Sequence, residues 1–563
     1  MNFTVGGEPF IPKSFQSLRD YNAQKFVADL IAGITVGLVA LPLAMAFAIS
    51  SGVLPQSGIY CAIVAGFLIS ALGGSTVQIG GPTGAFVVVV AGIVQKHGID
   101  GLYMCTMMAG ILLMILGVTG LGSAVKFIPR PVVIGFTNGI AVLIASTQLK
   151  DFFGLKIAKV PSEFLPRIEA VVSHFGTLST PTTVLSVGCL TLIILIMRFV
   201  KKVPGYIVAM VVGTGIAWAL ALPLETIETK FGGIPSGLPS FQMPHFRPEL
   251  ILPLLAPTFT VTMLGAIESL LSAVVADRMT GGRHNPNVEL FGQGVANFVS
   301  PLFGGLPATG AIARTATNIR TGAKTPMSGM IHALTLLVIL LVAAGLAKHI
   351  PLCVLAAILF VVSYNMGEWK EIPEILKLGK APVAVWGITF ALTVFADLTV
   401  AVEAGMILAM LLFVHRISLT TTVSQVTEEY IEDGKAHSLQ LNPIPDSVAV
   451  FRVHGPFMFG STDKLDTIYR QIDSLPSVVI LRLRNMNALD TTGLKALEEL
   501  ALKLSLSGRH LVLCGLRDQP LNLANRSGLK HHLGEENLTP DVQSAIERAK
   551  EILSRMEAEA VGQ

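Results

Sequence analysis

Gly80-Gly81-Pro82-Thr83-Gly84-Ala85 stands directly before one short apolar segment, and Gly304-Gly305-Leu306-Pro307-Ala308-Thr309-Gly310-Ala311 stands before another. Glycine and proline interrupt helices, and proline also removes a backbone donor. Interrupted segments at corresponding places in two halves of a membrane protein indicate a transporter binding site. The alternative is that both stretches are kinks between ordinary spans.

The composition around these stretches is that of a membrane protein. Hydrophobic residues make up 52% of the 563 residues, charged residues make up 14%, and mean hydropathy is +0.66. Soluble chains carry about 25% charged residues, so a soluble all-α protein with long core helices is the weaker alternative. Fourteen apolar segments, two of them short, predict a polytopic α-helical membrane protein. They lie near 30–50, 58–72, 84–95, 101–119, 130–148, 182–198, 205–221, 255–276, 287–300, 312–320, 326–346, 351–364, 382–396 and 399–415.

The distribution of Lys and Arg predicts the orientation. With the N-terminus inside, the cytosolic connections contain Lys126, Arg130, Arg198, Lys201, Lys202, Arg278, Arg283, Arg320, Lys324, Lys370, Lys377, Lys380 and Arg416. The short outer connections hold only Lys96 and Lys348, and other outer positive charges lie in the long connections 149–181 and 222–252. By the positive-inside rule both termini are cytoplasmic. Residues 1–28 lack an apolar signal segment, and no eukaryotic targeting signal is visible, so a bacterial inner membrane is expected.

The fourteen predicted segments divide into two consecutive sets of seven, and each interrupted stretch precedes the third segment of its set. Because seven is an odd number, the second set enters the membrane from the opposite face to the first. Irregular backbone at membrane depth is tolerated only inside the protein or along a cavity. Two facing helix starts, each with a partial positive charge and free N–H groups, would bind an anion. The expected substrate contacts are Thr83, Gly84 and Ala85 at one start and Ala313, Arg314 and Thr315 at the other.

Two charged residues lie inside predicted spans, where charge is costly and usually functional. Arg314 offers forked donors that suit carboxylate, bicarbonate or sulfate; the alternative is a structural partner for a buried acid. Glu268 is that acid, and Ser272 lies one turn later on the same helix face. Glu268 is expected to bind a coupling proton, to bind Na⁺ together with Ser272, or only to neutralise Arg314. Asp29, at the entry to the first span, is expected to stabilise the start of its own helix.

The last part of the chain has the pattern of a small soluble α/β domain. The predicted strands are 448–453, 478–483 and 511–514, and the predicted helices are 494–504 and 545–556. It has no Walker loop, dinucleotide fingerprint or catalytic triad, so regulation or assembly is expected rather than catalysis. The predicted organisation is a cytosolic segment (1–28), a transport domain (29–416), a linker (417–436), the α/β domain (437–557) and a tail (558–563).

Asp490-Thr491-Thr492-Gly493 precedes the first helix of that domain. The plain interpretation is an N-cap by Asp or Thr. The alternative is phosphorylation at Thr491 or Thr492, since phosphate is favoured at a helix start. Five scattered cysteines predict neither a metal site nor any other bound cofactor.

Several motifs together resemble the sulfate permease family of solute carriers over nearly the whole chain. They are Ala40-Leu41-Pro42, Gly81-Pro82-Thr83, Ile128-Pro129-Arg130-Pro131, Gly135-Phe136-Thr137-Asn138-Gly139, Gly265-Ala266-Ile267-Glu268-Ser269, Gly304-Gly305 and Thr321-Gly322-Ala323-Lys324-Thr325. The last domain resembles the regulatory STAS domain shared with anti-sigma-factor antagonists. The resemblance implies a uracil-permease-like 7+7 inverted repeat of fourteen helices with core and gate domains. It also implies an anion held between the third and tenth helices, an elevator-like movement and a homodimer.

The resemblance also implies roles for individual residues. Arg314 matches an anion-facing arginine, Phe47 an aromatic lining the site, and Thr492 a phosphorylatable serine of the anti-sigma antagonists. Glu268 matches an acid linked to proton coupling in some bacterial members, where sodium–bicarbonate members carry Asp. Two departures remove polar groups near the anion: Leu43 replaces a common Gln, and Ala313 replaces a Ser of many eukaryotic members.

These observations predict a secondary active transporter, not an enzyme, that carries a sulfate-type inorganic anion by H⁺-coupled symport. C4-dicarboxylate or bicarbonate is the rival substrate, and a passive channel or exchanger is the rival mechanism. Arg314 and the regulatory domain disfavour a nucleobase–cation symporter of the same architecture. Outside the transporters, the alternative is a membrane-tethered signalling scaffold that acts through its last domain. The expected partners are the lipid bilayer, a second copy of the chain and a cytosolic regulatory protein at the STAS domain, with no nucleic acid.

Overall fold

The computed structural model describes residues 4–5, 8–122, 129–158, 160–200, 204–396, 398–426 and 444–561. Several predicted features therefore lie outside the described residues: Lys126, Ile128, Lys201, Lys202, most of the linker, the first seven residues of the 437–557 domain and the end of the tail. The chain divides into two compact units, Met1–Ile407 and Leu408–Gln563.

The first unit is helical apart from four two-residue strands and short 3₁₀ turns. Its helices are α1 (Lys13–Leu18), α2 (Ala23–Ser50), α3 (Pro55–Leu72), α4 (Ala85–Val118), α5 (Arg130–Phe153), α6 (Phe164–Ser173), α7 (Thr180–Phe199), α8 (Gly205–Ala219), α9 (Ile227–Phe231), α10 (Ile251–Thr280), α11 (Pro286–Val299), α12 (Ile312–Thr321), α13 (Met327–Ala347), α14 (Leu352–Met366), α15 (Ile372–Lys377) and α16 (Lys380–Phe395). α17 (Leu398–Thr420) begins in this unit. Its strands are β1 (Thr4–Val5), β2 (Glu8–Pro9), β3 (Gly80–Gly81) and β4 (Thr309–Gly310).

All fourteen predicted apolar segments lie on these helices, and the third and fourth share α4. Gly98 interrupts α4 with a φ of +71°, so the element consists of a short and a longer helix. Nine helices among the described residues are long and apolar enough to cross a membrane, and α8 and α16 are apolar but shorter. α12 has 10 residues, which is about 15 Å of helix and half of a bilayer core. The chain is therefore a helical membrane protein; the inverted 7+7 repeat stays a prediction.

The helices of the first unit pack in two groups. α2, α3, α4, α10, α11, α12 and α13 contact one another extensively, and α5, α7, α8, α14 and α16 form a second set of mutual contacts. Contacts of α2 and α4 with α5, α8 and α14 join the groups. The first group contains both interrupted segments, and the division into core and gate domains stays a prediction.

Asp29 differs from its prediction. α2 begins at Ala23, so Asp29 lies in its second turn, and the side chain is fully buried. The carboxylate accepts hydrogen bonds from the backbone N of Lys324 (2.7 Å) and Thr325 (3.1 Å) and from Thr325 Oγ1 (2.5 Å). Asp29 therefore stabilises the connection from α12 to α13 instead of the start of its own helix, because that is where the unpaired donors lie.

The second unit contains one five-stranded sheet. Its strands are β5 (Thr422–Gln425), β6 (Val448–His454), β7 (Val478–Asn485), β8 (His510–Cys514) and β9 (Leu538–Thr539), and its helices are α18 (Asp466–Tyr469), α19 (Thr491–Leu506), α20 (Asp518–Arg526), α21 (Leu529–Leu533) and α22 (Val542–Val561). The sheet order is β5-β6-β7-β8-β9; β5 is antiparallel to β6, and the other neighbours are parallel. Each predicted strand and helix of the α/β domain is present.

Candidate functional site

The two Gly/Pro stretches meet in the interior of the first unit. β3 and β4 pair antiparallel, with Gly80 opposite Gly310 and Gly81 opposite Thr309. All four residues are buried. The pair is extended by a hydrogen bond from the Ala311 backbone N to the Ile79 carbonyl (2.8 Å). Each strand runs into a helix, so the pairing brings the starts of α4 and α12 to the same place. This is the arrangement that the sequence predicts.

Both helix starts lack a side-chain cap. The N-cap residue is Gly84 for α4 and Ala311 for α12, and neither has a side chain that accepts a backbone N–H. The first N–H groups of a helix have no partner within the helix. A Ser, Thr, Asp or Asn at the N-cap position can satisfy one of them. At α4 the Phe86 and Val87 N–H groups bond to the carbonyls of Thr83 (3.3 Å) and Gly84 (3.0 Å), so an anion would find its free amides mainly at α12, while both helix starts carry partial positive charge.

Arg314 lies in the first turn of α12, and 3% of its surface is exposed. Nη2 donates a hydrogen bond to the Pro82 carbonyl, which ties α12 to the first stretch. Nη1 is buried and has no hydrogen-bond partner among the described residues. A buried charged donor without an acceptor is costly, so a bound anion at Nη1 would remove that penalty.

Gly81 makes room for this guanidinium. Its φ is +149°, a conformation that side chains other than glycine's rarely adopt. A Cβ atom at this position would lie 2.7 Å from Arg314 Nη1. The second glycine of the first stretch is therefore required both by the backbone and by the neighbouring cation.

α10 connects the parts of the site through three hydrogen bonds that involve hydroxyl groups. Thr83 Oγ1 donates to Glu268 Oε2 (2.9 Å), and Thr309 Oγ1 donates to the Gly265 carbonyl one turn earlier (3.0 Å). Ser272 Oγ and Thr315 Oγ1 are hydrogen-bonded at 3.1 Å. Thr315 Oγ1 also accepts the Ile79 backbone N (3.0 Å). Both strands and α12 are thus attached to one helix.

Glu268 and Ser272 have different partners. Glu268 is partly exposed, whereas Ser272 is fully buried. Glu268 and Arg314 interact electrostatically without forming a direct ion pair with each other. Glu268 is thus near the cation but bonded to a hydroxyl group, and the Ser272 hydroxyl is engaged with α12.

The remaining predicted contacts divide into two classes. Phe47 is 5% exposed and lies against Gly84, where a Cβ would be 3.4 Å from Phe47 Cε1. Ala85 is fully buried at the start of α4. Ala313, by contrast, is exposed. The structure therefore brings Phe47, Gly84 and Ala85 together beside the strand pair, while Ala313 occupies an open face of α12.

Glu289 is a second acid inside a predicted span and is absent from the site residues predicted above. It is 1% exposed. Oε2 accepts the backbone N of Gly74 (2.9 Å) and Ser75 (3.1 Å), and Oε1 accepts Gln78 Nε2 (3.1 Å) and Gln293 Nε2 (3.0 Å). Three of these donors lie in the segment that leads into β3, so Glu289 fixes that segment, and the fourth, Gln293, lies on the same helix as Glu289. The rule that singled out Glu268, an acid within an apolar segment, would also have found Glu289.

Asp490 caps α19, as the plain interpretation predicts. Its Oδ1 accepts the Gly493 backbone N at 2.7 Å, and its Oδ2 accepts the Phe459 backbone N at 3.0 Å. Thr491 and Thr492 are the first residues of the helix, and both are exposed. The Thr492 hydroxyl is therefore accessible, and its phosphorylation stays a prediction.

Comparison with known proteins gives two family matches along the chain. Residues 26–389 match the model of the sulfate permease family, and residues 441–545 match the STAS domain. "Putative sulfate transporter YvdB" of Bacillus subtilis is 40% identical over 92% of this chain and 97% of its own length. "Bicarbonate transporter BicA" of Synechocystis is 31% identical over 94% of this chain and 95% of its own length.

Two solved structures are similar to this one. A structure of SLC26A9 superposes with a TM-score of 0.83, at 18% identity, over 98% of this chain and 94% of that chain. This likeness concerns the fold alone. The transmembrane domain of a cyanobacterial bicarbonate transporter, BicA, superposes with a TM-score of 0.60, at 33% identity, over 69% of this chain and 98% of that chain.

Proposed function

The chain belongs to the sulfate permease family of membrane transporters, and on that premise we propose that it is a secondary active transporter that couples the uptake of a small anion to H⁺. The anion is a sulfate-type inorganic anion, held between the starts of α4 and α12. The residues proposed to contact it are Phe47, Thr83, Gly84, Ala85, Ala313, Arg314 and Thr315.

One observation carries this proposal. The β3–β4 pair holds two uncapped helix starts beside a buried guanidinium whose Nη1 has no partner among the described residues. Free amides, two helix dipoles and an arginine all favour negative charge. A cation would be repelled by this combination, and an uncharged nucleobase would lack the charge attraction that an anion gains from it.

Coupling by H⁺ is proposed at Glu268. The carboxylate is partly exposed, lies near Arg314 and accepts one hydroxyl hydrogen bond from Thr83. Burial favours the protonated form and a nearby cation favours the ionised form. Binding or release of the anion at Arg314 therefore changes the balance between the protonated and ionised forms of Glu268. Na⁺ is the alternative, with Ser272 as a second ligand; Ser272 Oγ would then donate its hydrogen bond to Thr315 Oγ1 and turn a lone pair towards the cation.

The proposed transport movement is an elevator-like displacement of the α2–α4 and α10–α13 group against the α5, α7, α8, α14 and α16 group. Support comes from the two sets of helix contacts, since both anion-facing helix starts belong to the first set. The site would then move as one body while the second group stays in place. The inverted repeat and a homodimer belong to the same proposal, with a cytosolic protein or a kinase acting at the exposed Thr492.

Bicarbonate is the second candidate substrate, because relatives named bicarbonate transporters are 31% and 32% identical to this chain. A C4-dicarboxylate is the third. The 40% identical relative is named for sulfate, so sulfate is placed first. Both planar bicarbonate and tetrahedral sulfate suit the forked donors of an arginine.

Uptake by the purified full-length protein in proteoliposomes tests the proposal. Labelled sulfate, bicarbonate, succinate and chloride are offered singly, each with an imposed pH gradient, an imposed Na⁺ gradient or neither. We expect accumulation of one oxyanion driven by an inside-alkaline gradient. Absence of uptake or exchange for every anion would refute the transporter proposal; single-channel currents in a planar bilayer would replace it with a channel.

A further inference from the structure

A cavity lies beside the first turns of α4, at the end of the first unit where α2 and α5 finish. It encloses about 470 Å³. Its walls are the end of α2, the first turns of α4, the end of α5 and parts of the two long connections. A neighbouring cavity of about 460 Å³ shares Lys150 and Asp151 with it. The charge distribution in the sequence predicts that this end faces outward.

Positive charge dominates the wall of the cavity. Lys150, Arg167 and Lys230 line it, against the single carboxylate of Asp151. Lys230 Nζ is 3.4 Å from Asp151 Oδ1, so these two charges compensate each other. Lys150 forms no ion pair within the described part of the chain. One lysine and one arginine therefore remain without an opposite charge.

Arg167 is the stronger of these two observations, because it is only 3% exposed. Its guanidinium donates to the Pro161 carbonyl (3.0 Å) and to Ser146 Oγ (2.9 Å), and also to the Ser162 carbonyl. These partners satisfy its hydrogen bonds without neutralising its charge. A buried charge without a counter-charge is unfavourable, and an anion in the adjacent cavity would provide one.

The cavity also leads towards the central site. Val87 and Val88, in the first turn of α4, form its inner end, and the Val87 backbone N bonds to the Gly84 carbonyl (3.0 Å). A hydrogen bond from Gln148 Nε2 to Ser50 Oγ (2.9 Å) joins α5 to α2 along the same wall. An anion in the cavity would thus be separated from the α4 start by about one helical turn.

We propose that this cavity, which we call the outer vestibule, is a second binding site for small anions, where an anion from the outside binds before it moves to the central site. Lys150 supplies accessible positive charge and Arg167 supplies buried positive charge. The order of binding rests on the proposed transport function; the attraction of anions to the vestibule does not. A basic cavity with low-dielectric walls raises the local concentration of anions.

The first test measures the electrostatic attraction without measuring transport. Ala91→Cys places a thiol on the vestibule wall, and the five native cysteines are all buried, so the unmodified protein gives the background. The rates of reaction with an anionic and a cationic methanethiosulfonate reagent are compared with those of a free thiol. We expect the anionic reagent to be favoured roughly tenfold, and Lys150→Ala to reduce that preference several-fold.

The matched control is Lys96→Ala. Lys96 is exposed, lies next to the vestibule residue Gln95 and does not line the cavity. It should leave the ratio of rates unchanged. The proposal would be overturned if the ratio of anionic to cationic reagent rates at the introduced thiol equalled that of a free thiol. It would also be overturned if Lys150→Ala and Lys96→Ala reduced the preference for the anionic reagent equally. Either result is obtained even if the protein transports no anion, which separates this failure from failure of the proposed function.

The second test measures uptake at low ionic strength. Lys150→Ala should raise the KM for the transported anion several-fold with little change in kcat, and added salt should remove the difference because it screens the charge. Lys150→Arg should restore KM. If Lys150→Ala changed the ratio of reagent reaction rates but left the KM for uptake unchanged, binding of the transported anion at the outer vestibule would be refuted.

Discussion

Replacement of Gly81 by alanine tests the link between the strand pair and the guanidinium. The added Cβ would lie 2.7 Å from Arg314 Nη1 and 3.5 Å from the Ala62 Cα. The second distance is ordinary contact, so the guanidinium is the group that must move. The φ of +149° adds strain, which costs about 1–3 kcal/mol for a residue other than glycine.

The functional loss follows from the displaced donor. A guanidinium pushed back by close to 1 Å no longer presents Nη1 at the helix starts, and a misplacement of that size can cost roughly 100-fold in rate. We therefore expect Gly81→Ala to lower kcat/KM for anion uptake by roughly 10- to 100-fold, and to lower the melting temperature of the purified protein.

The assay is initial-rate uptake into proteoliposomes, with the amount of inserted protein measured for each variant. Gly92→Ala is the control, since Gly92 lies on α4, the helix that follows the Gly81 stretch, and a Cβ there would meet no atom within 4 Å. It should transport normally. Normal uptake kinetics in Gly81→Ala would show that the position of the guanidinium relative to the strand pair does not matter, and would refute the reasoning.

The remaining predictions concern four charged side chains. Arg314→Ala should abolish uptake, and Arg314→Lys should restore only a small part of it, because lysine keeps the charge but not the forked donors; normal kinetics in either variant would remove Arg314 from the site. Glu268→Gln keeps an acceptor for Thr83 and should abolish the drive by a pH gradient while exchange of labelled for unlabelled anion continues; unchanged drive would leave Glu268 a structural role. Glu289→Ala leaves four donors without their acceptor and should destabilise the protein by about 3 kcal/mol or more, seen as a lower melting temperature in detergent; an unchanged melting temperature would contradict the account of the segment before β3. Asp490→Ala removes the cap of α19 and should cost about 1 kcal/mol, measured as faster amide hydrogen exchange in the first turn of that helix, with the exposed Asp463→Ala as a control that leaves exchange there unchanged.

Much of the fold follows from local sequence signals. The helices are predicted by apolar segments and by charge in alternate connections, because a span must be long and apolar enough to cross the bilayer. The breaks are predicted by two Gly/Pro stretches, because glycine and proline change the conformation of their own backbone. The break at Gly98 inside α4 agrees with this, since the segments predicted at 84–95 and 101–119 lie on either side of that non-helical residue.

The hydrogen bonds that assemble the site could not be predicted in the same way. Thr83 and Glu268 are 185 positions apart, and Asp29 and Thr325 are 296 apart. Nothing in the local sequence specifies which buried acid meets which hydroxyl. Asp29 illustrates this, because its position at the entry to a span suggests its own helix as the partner, whereas tertiary packing provides a different set of unpaired donors.

Anomalous diffraction from crystals of the full-length protein grown with selenate, a sulfate analogue, tests the central claim most directly. We predict a selenium peak within hydrogen-bonding distance of Arg314 Nη1 and the first amides of α4 and α12, and loss of that peak in Arg314→Ala crystals. Selenium density confined to the outer vestibule, or the same central peak in Arg314→Ala, would contradict the claim that paired helix starts and a guanidinium form the anion site.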